Sequence, residues 1–225
     1  VIETFGKGKG TLDFLKNQLS IQVSSKAEFL LSDLDNRYYE YDLLGCLKGE
    51  LVSQFYIPAT DECPKADEVV RMAEGLGAIP AYAYLGDVGD SVTGDKKAQK
   101  FEDDYLEELF EVLQELGFKA VTYMPTRNSM QQLHRLKELC RKYNMLEICG
   151  EDINTPRQEF ICKALREPAF HNLIDAAYAL IGNEILAGQD VKQAFLSKQM
   201  CERYPDVRDR VTYFKRVGEQ TLLDG

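Results

Sequence analysis

From residue 64 onward, apolar positions alternate between two periods. Val69, Val70, Ala73 and Leu76 recur at helical spacing, and the pattern predicts a helix over residues 67–75, opened by Pro64 and stopped by Gly77. The apolar run IPAYAYL then predicts a strand over 79–85. A polar loop, GDVGDSVTGDKKAQK, leads to a helix over 101–116 whose stripe is Tyr105, Leu109, Val112, Leu113 and Leu116. Gly117 ends it, and a strand follows over 118–124. Asn128 or Ser129 caps the next helix, and Ser129 and Gln132 have capping-box spacing. Met130, Leu133, Leu136, Leu139, Cys140 and Tyr143 form its buried face, and 145–149 is a further short strand. The run Thr155-Pro156-Arg157-Gln158 reads as a helix start, with cap, proline at the first turn and glutamine three residues on.

The flanks are helical. Helices are expected over 11–19 and 26–34, while RYYEYD at 37–42 is ambiguous and 51–57 alternates as a strand ended by Pro58. At the other end, 170–186 carries the stripe Leu173, Ile174, Ala177, Leu180 and Ile181, followed by helices over 190–201 and 207–217. Short apolar strands alternating with amphipathic helices call for an α/β fold with a mostly parallel sheet. Such sheets take ligands outside the carboxyl ends of their strands. The loops that matter are therefore 85–100, 124–128 and 150–155.

Composition narrows the classes. A formal net charge of -10 disfavours a nucleic-acid partner, because phosphate-backbone contacts need a concentrated basic surface. No apolar run reaches the eighteen or so residues of a membrane span. The six cysteines show no C-x-x-C pair, and a reducing cytoplasm is the expected location. The opening GKGKG lacks the G-K-[ST] ending of a phosphate-binding loop.

Three strand-end groups hold the candidate chemistry. Gly150-Glu151-Asp152-Ile153-Asn154-Thr155-Pro156-Arg157 sets an acidic pair, an amide and an arginine between a strand and a helix start. Asp152 is a hard oxygen donor for a divalent cation, and Asn154 adds a carbonyl oxygen. Arg157, in the first turn of a helix, would favour an anion. Arg127 and Asn128 could hydrogen-bond a substrate; alternatively Asn128 caps a helix and Arg127 is solvated. The loop bearing Asp87, Asp90, Ser91, Thr93 and Asp95 has carboxylates that could face a metal or a sugar-like polyol, but it fits no EF-hand spacing and reads as a solvated loop or a substrate lid. Of Tyr82 and Tyr84, alternating along one strand, one can reach the pocket. His134 reads as an exposed helical residue, and His171 stands one turn before Asp175, with which it could pair.

Residues 67–165 resemble the C-terminal part of the polymerase-and-histidinol-phosphatase (PHP) family. DEVVRMAEGLG followed by AIPAYAYL is similar to the family's helix, double-glycine turn and strand ending in Ala-His-Pro. GFKAVTYMP is similar to its next strand, and YNMLEICGEDINTP to its closing strand and Gly-Ser-Asp-x-His-x-Pro motif. The resemblance implies a distorted seven-stranded (β/α) barrel, TIM-like, holding up to three metal ions and hydrolysing phosphoesters. It places the family's metal-binding aspartate on Asp152, its histidines on Asn154 and Tyr84, and its serine on Glu151. The expectation is the C-terminal portion of such a barrel over 1–165, a helical segment over 166–225 packed on it, and a polypeptide extending upstream of Val1 by roughly another barrel half. The implied activity is metal-dependent hydrolysis of a small phosphorylated metabolite. Asp152 and Arg157 would be catalytic, Arg127, Asn128, Tyr84 and Glu151 would bind substrate, and Asp152 and Asn154 would hold a divalent metal (Mn, Zn, Fe or Mg), or none. The alternative is a non-catalytic ligand-binding or regulatory domain on the same scaffold.

Overall fold

The computed structural model describes the whole chain except residues 90–98, 154 and 225. Contacts divide it into two compact units, Val1–Cys63 and Pro64–Gly225, so the junction expected at 165/166 falls inside the second unit.

The first unit is helical: α1 (Ile2–Phe5), α2 (Lys9–Asp13) running into a π-helical turn at Phe14–Gln18, α3 (Ser25–Ser32) and α4 (Tyr39–Phe55). Ser24 caps α3 by accepting from Ala27 N at 3.2 Å. Leu12, Leu15, Ile21, Leu31, Tyr39 and Leu43 make its core. The strand expected over 51–57 is not there, because most of that segment is the last turn of α4. Tyr39, Leu43, Leu47 and Leu51 recur every four residues and all join one cluster, a helical stripe that a window beginning at Leu51 cuts off.

The second unit carries an open parallel sheet of three strands among the described residues. Its elements run α5 (Ala66–Gly75), β1 (Ala81–Ala83), α6 (Leu106–Leu116), β2 (Ala120–Tyr123), α7 (Met130–Lys142), β3 (Leu146–Cys149), α8 (His171–Gln189), α9 (Lys198–Arg203) and α10 (Val207–Asp224). The strand order is β1-β2-β3, with Ala81 opposite Ala120 and Ala120 opposite Leu146. Each strand sits where the apolar run predicted it, though shorter. Gly117 stops α6 at φ 95°, the left-handed conformation that glycine adopts without a Cβ penalty. The predicted capping box holds: Gln132 N donates to Ser129 Oγ at 3.3 Å, and Ser129 N to Gln132 Oε1 at 2.8 Å.

Alternation along β2 separates two cores. Val121 and Tyr123 face α6 and α7, where Phe110, Leu113, Leu133, Leu136 and Cys140 are buried. Ala120 and Leu146 face the other side, with Ala176, Ala179, Phe195, Met200 and Phe214. The buried stripe of α8 is Leu173, Ala176, Ala179 and Gly182, rotated from the expected one; Ala177 and Ile181 are exposed. Its neighbour is α10, and the two approach backbone to backbone. A Cβ on Gly182 would stand 2.1 Å from Phe214 O, and one on Gly218 2.1 Å from Tyr178 O. The helix expected over 190–201 is a 3-10 turn at Val191–Gln193 followed by α9. Among the described residues no helix is long and apolar enough to cross a membrane.

Candidate functional site

The carboxyl ends of the three strands gather the loops that sequence pointed to. At the end of β1, two acidic residues that precede α6 reach back to the sheet. Glu102 is buried, and its Oε1 accepts from Leu85 N at 2.7 Å and Gly86 N at 3.3 Å. Asp103 accepts from Tyr84 Oη at 2.5 Å through one oxygen, and from Asp87 N at 3.0 Å and Gln132 Nε2 at 2.7 Å through the other. Asp87 closes the ring by accepting from Phe101 N at 2.7 Å, with Lys100 Nζ 2.9 Å away. The Phe101 N–H and then the Lys100 ammonium hold its carboxyl below the usual range. This buckle ties both ends of the 86–100 loop to the sheet. Asp87 was visible as a loop carboxylate, but Glu102 and Asp103 are not evident in the sequence, where FEDDY reads as acidic residues favouring a helix start.

The buckle fixes the placement of Tyr84. Its ring is in the α6/α7 core and its hydroxyl is given to Asp103. Burial, and next that hydrogen bond, push its pKa up. Gly86 sits over the same spot at φ 69°, where a Cβ would lie 2.6 Å from Asn128 Nδ2. Asn128 itself is buried and ties two strand ends together: Nδ2 donates to Leu85 O at 2.7 Å and Oδ1 accepts from Met124 N at 3.1 Å.

The ends of β2 and β3 meet at Thr126 and Glu151. Thr126 donates to the Glu151 carboxylate from its N–H at 3.3 Å and also from its hydroxyl. Cys162 Sγ lies 3.7 Å from the same carboxylate. Burial, and then Glu151, push that thiol up, so it is protonated at neutral pH. These residues line an open cavity of about 310 Å³, with Ile153 and Lys163. Between Thr126 and Asn128 stands Arg127, half-buried, its guanidinium 5.6 Å over the Phe101 ring. Arg127 Nε is buried and makes no hydrogen bond, and no carboxylate pairs with this cation among the described residues.

Asp152 and Arg157 are exposed. No helix opens at Thr155. Thr155 N donates to Gln158 Oε1, Arg157 N to Thr155 Oγ1 and Gln158 Nε2 to Asp152 O, at 3.0, 3.3 and 2.8 Å. The cap-like residues close a turn instead, because the segment after them has no buried stripe: Phe160 is 90% exposed and Ile161 63%. Arg157 therefore has no helix N-terminus beneath it. Asn154, and Asp90, Ser91, Thr93 and Asp95 of the loop, lie outside the described residues.

A multi-metal centre needs a set of converging donors, and the described residues do not supply one. Among the described residues no group of three or more His, Cys, Asp or Glu side chains is placed to hold a metal ion. His134 is exposed on α7. His171 opens α8 with Nε2 3.4 Å from Arg166 O, and Asp175, its expected partner, instead pairs with Lys215 at 2.7 Å. Glu151 is engaged by Thr126. The described donors do not fit the metal cluster that the PHP resemblance implies. Comparison of the chain with protein-family models, curated proteins and solved structures finds no match.

Proposed function

We propose that the chain is a ligand-binding or regulatory domain on a PHP-like α/β scaffold, taking a small phosphorylated molecule at the carboxyl ends of β2 and β3. Arg127 carries this reading. It is a half-buried cation at the end of β2, next in the chain to Thr126 of the cavity wall, and its Nε–H is unused. A buried donor without an acceptor costs about 1–3 kcal/mol, more on a charged group, and an incoming oxyanion removes that cost. Thr126 adds two donors that Glu151 now occupies, so an anion arriving there displaces a carboxylate from the protein. On this reading β1–β3 are consecutive strands of a distorted barrel and residues 166–225 its helical cover. The six free thiols suit a cytoplasmic location.

A second reading, metal-dependent phosphoester hydrolysis, is favoured by one observation. Glu151 and Asp152 follow β3 after Gly150, and Arg127 follows the neighbouring β2, so carboxylates and a cation stand at adjacent strand ends. Calorimetric titration with inorganic phosphate and with glycerol phosphate tests the first reading. Arg127→Gln should weaken binding about tenfold or more. Absence of binding, or binding unchanged in that variant, overturns it. Elemental analysis, with a phosphatase screen in added manganese, tests the second. Stoichiometric metal and phosphate release, both lost in Asp152→Asn, would replace the binding reading with hydrolysis.

A further inference from the structure

The amino-terminal ends of the same strands border a larger cavity, of about 580 Å³. Gly77 and Ala78, which lead into β1, line it with Lys119 before β2 and Asn144 before β3. Its volume lies within the roughly 300–1,000 Å³ of small-molecule sites. Much of the wall is apolar, from Ala78, Val191, Ala194 and Leu196.

Arg210 also lines it, and is 5% exposed. Nη1 donates to Tyr204 O at 2.7 Å and Pro205 O at 3.2 Å, and the guanidinium lies 5.3 Å from the Phe195 ring centroid. Nε is buried without a hydrogen-bond partner, and Nη2 makes none among the described residues. No carboxylate forms an ion pair with it there. Asp206 feels its charge, but the Asp206 carboxylate is engaged by Arg208. A guanidinium taken out of water normally has an anion or a full set of acceptors. Arg210 has acceptors for one nitrogen, while the Nε–Nη2 edge is the side of the group that grips an oxyanion with two parallel bonds. Lys119 is a second, exposed cation on the lining, and Glu74 is the lone acid there, which leaves the wall one positive charge in excess.

We infer that this cavity binds a small organic monocarboxylate, its head on Arg210 and its apolar body against the Val191–Leu196 wall. The excess of one charge matches a monoanion better than a phosphate ester. The site lies at the other end of the strands from Arg127 and does not depend on the function proposed above.

The test is an NMR titration of the full chain with benzoate, and separately with phenyl phosphate, following the Arg210 Nε–H signal assigned from Arg210→Lys. Benzoate should move that signal saturably at millimolar concentration. Arg210→Lys, followed on backbone amides, should bind about tenfold more weakly, since a lysine keeps the charge without the fork. Because Arg210 also holds two carbonyls, Ala78→Trp provides a variant at an exposed position; it should obstruct the cavity and abolish the shift. Arg127→Gln should leave the response intact. An Arg210 signal that benzoate does not move, or a response that survives Ala78→Trp, overturns the site. Tighter binding of phenyl phosphate overturns the carboxylate assignment.

Discussion

On one face of the sheet, α6 and α7 press Phe110, Leu113, Leu133 and Leu136 onto Val121 and Tyr123. On the other, α8 and α10 meet with Gly182 against the Phe214 carbonyl and Gly218 against that of Tyr178. The first face is closed by interdigitating large side chains, the second partly by bringing two backbones together. Their responses to substitution should therefore be opposite in kind. The first is sensitive to removing volume, the second to adding it.

The largest effect is expected from Leu136→Ala, which empties a fully buried site on the first face. It should lower unfolding stability by about 3 kcal/mol in urea denaturation. A loss near zero would mean that the face is loosely packed. Next comes Gly182→Ala. Helix propensity alone predicts a gain of about 1 kcal/mol. The carbonyl 2.1 Å from the added Cβ predicts instead a loss of about 2 kcal/mol. Gly188→Ala on the same helix, where nothing lies within 4 Å, is the control and should stabilise or be neutral. A gain at both glycines would erase the contrast between the faces.

The smallest effect belongs to the start of α10. Arg208 holds the Asp206 carboxyl down to about 2, from 3.8, chiefly by a side-chain hydrogen bond. The folded pKa is depressed, so this contribution is complete above pH 3.8 and fades as pH falls through about 2. Arg208 is largely solvated and Asp206 partly exposed, so solvent screening keeps the contribution small. Arg208→Ala should remove it, read as a shallower loss of stability on acidification. An unchanged acid limb would show that the pair contributes nothing.

The contrast between the faces also marks what was legible in the sequence. The stripe on α7, the Ser129 cap and the Gly117 stop predict their elements, because each is a local signal. On α6 the helix is where the stripe puts it, but the buried face is Leu106, Phe110 and Leu113, while Tyr105 and Val112 of the expected stripe are exposed. The stripe of α8 was misjudged because the buried positions carry alanine and glycine, which no count of large apolar residues detects. The helix expected at Thr155 failed for the converse reason: a good start signal with no apolar face behind it makes only a turn. At the candidate site, Arg127, Asn128 and Glu151 were all visible as strand-end residues. That Asn128 and Glu151 spend their polar atoms on neighbouring loops depends on distances between strands, which no spacing along the chain encodes. Arg210 was not singled out, since an arginine in a charged helical tail reads as solvated until Phe195 and two carbonyls are seen around it.

The spatial order β1-β2-β3 repeats the order along the chain, and that has a consequence for synthesis. As the polypeptide leaves the ribosome, each strand finds its neighbour already present, and α6 and α7 arrive between strands to cover the first face. The second face has no such timing. Ala120 and Leu146 wait bare until α8 emerges, and Phe214 of α10 comes later still. The nascent chain thus passes through a stage in which one side of the sheet is clothed and the other is not. Such a surface recruits chaperones or sticks to its neighbours, and the glycine-paired helices that end the exposure are the last large piece of this core to be made.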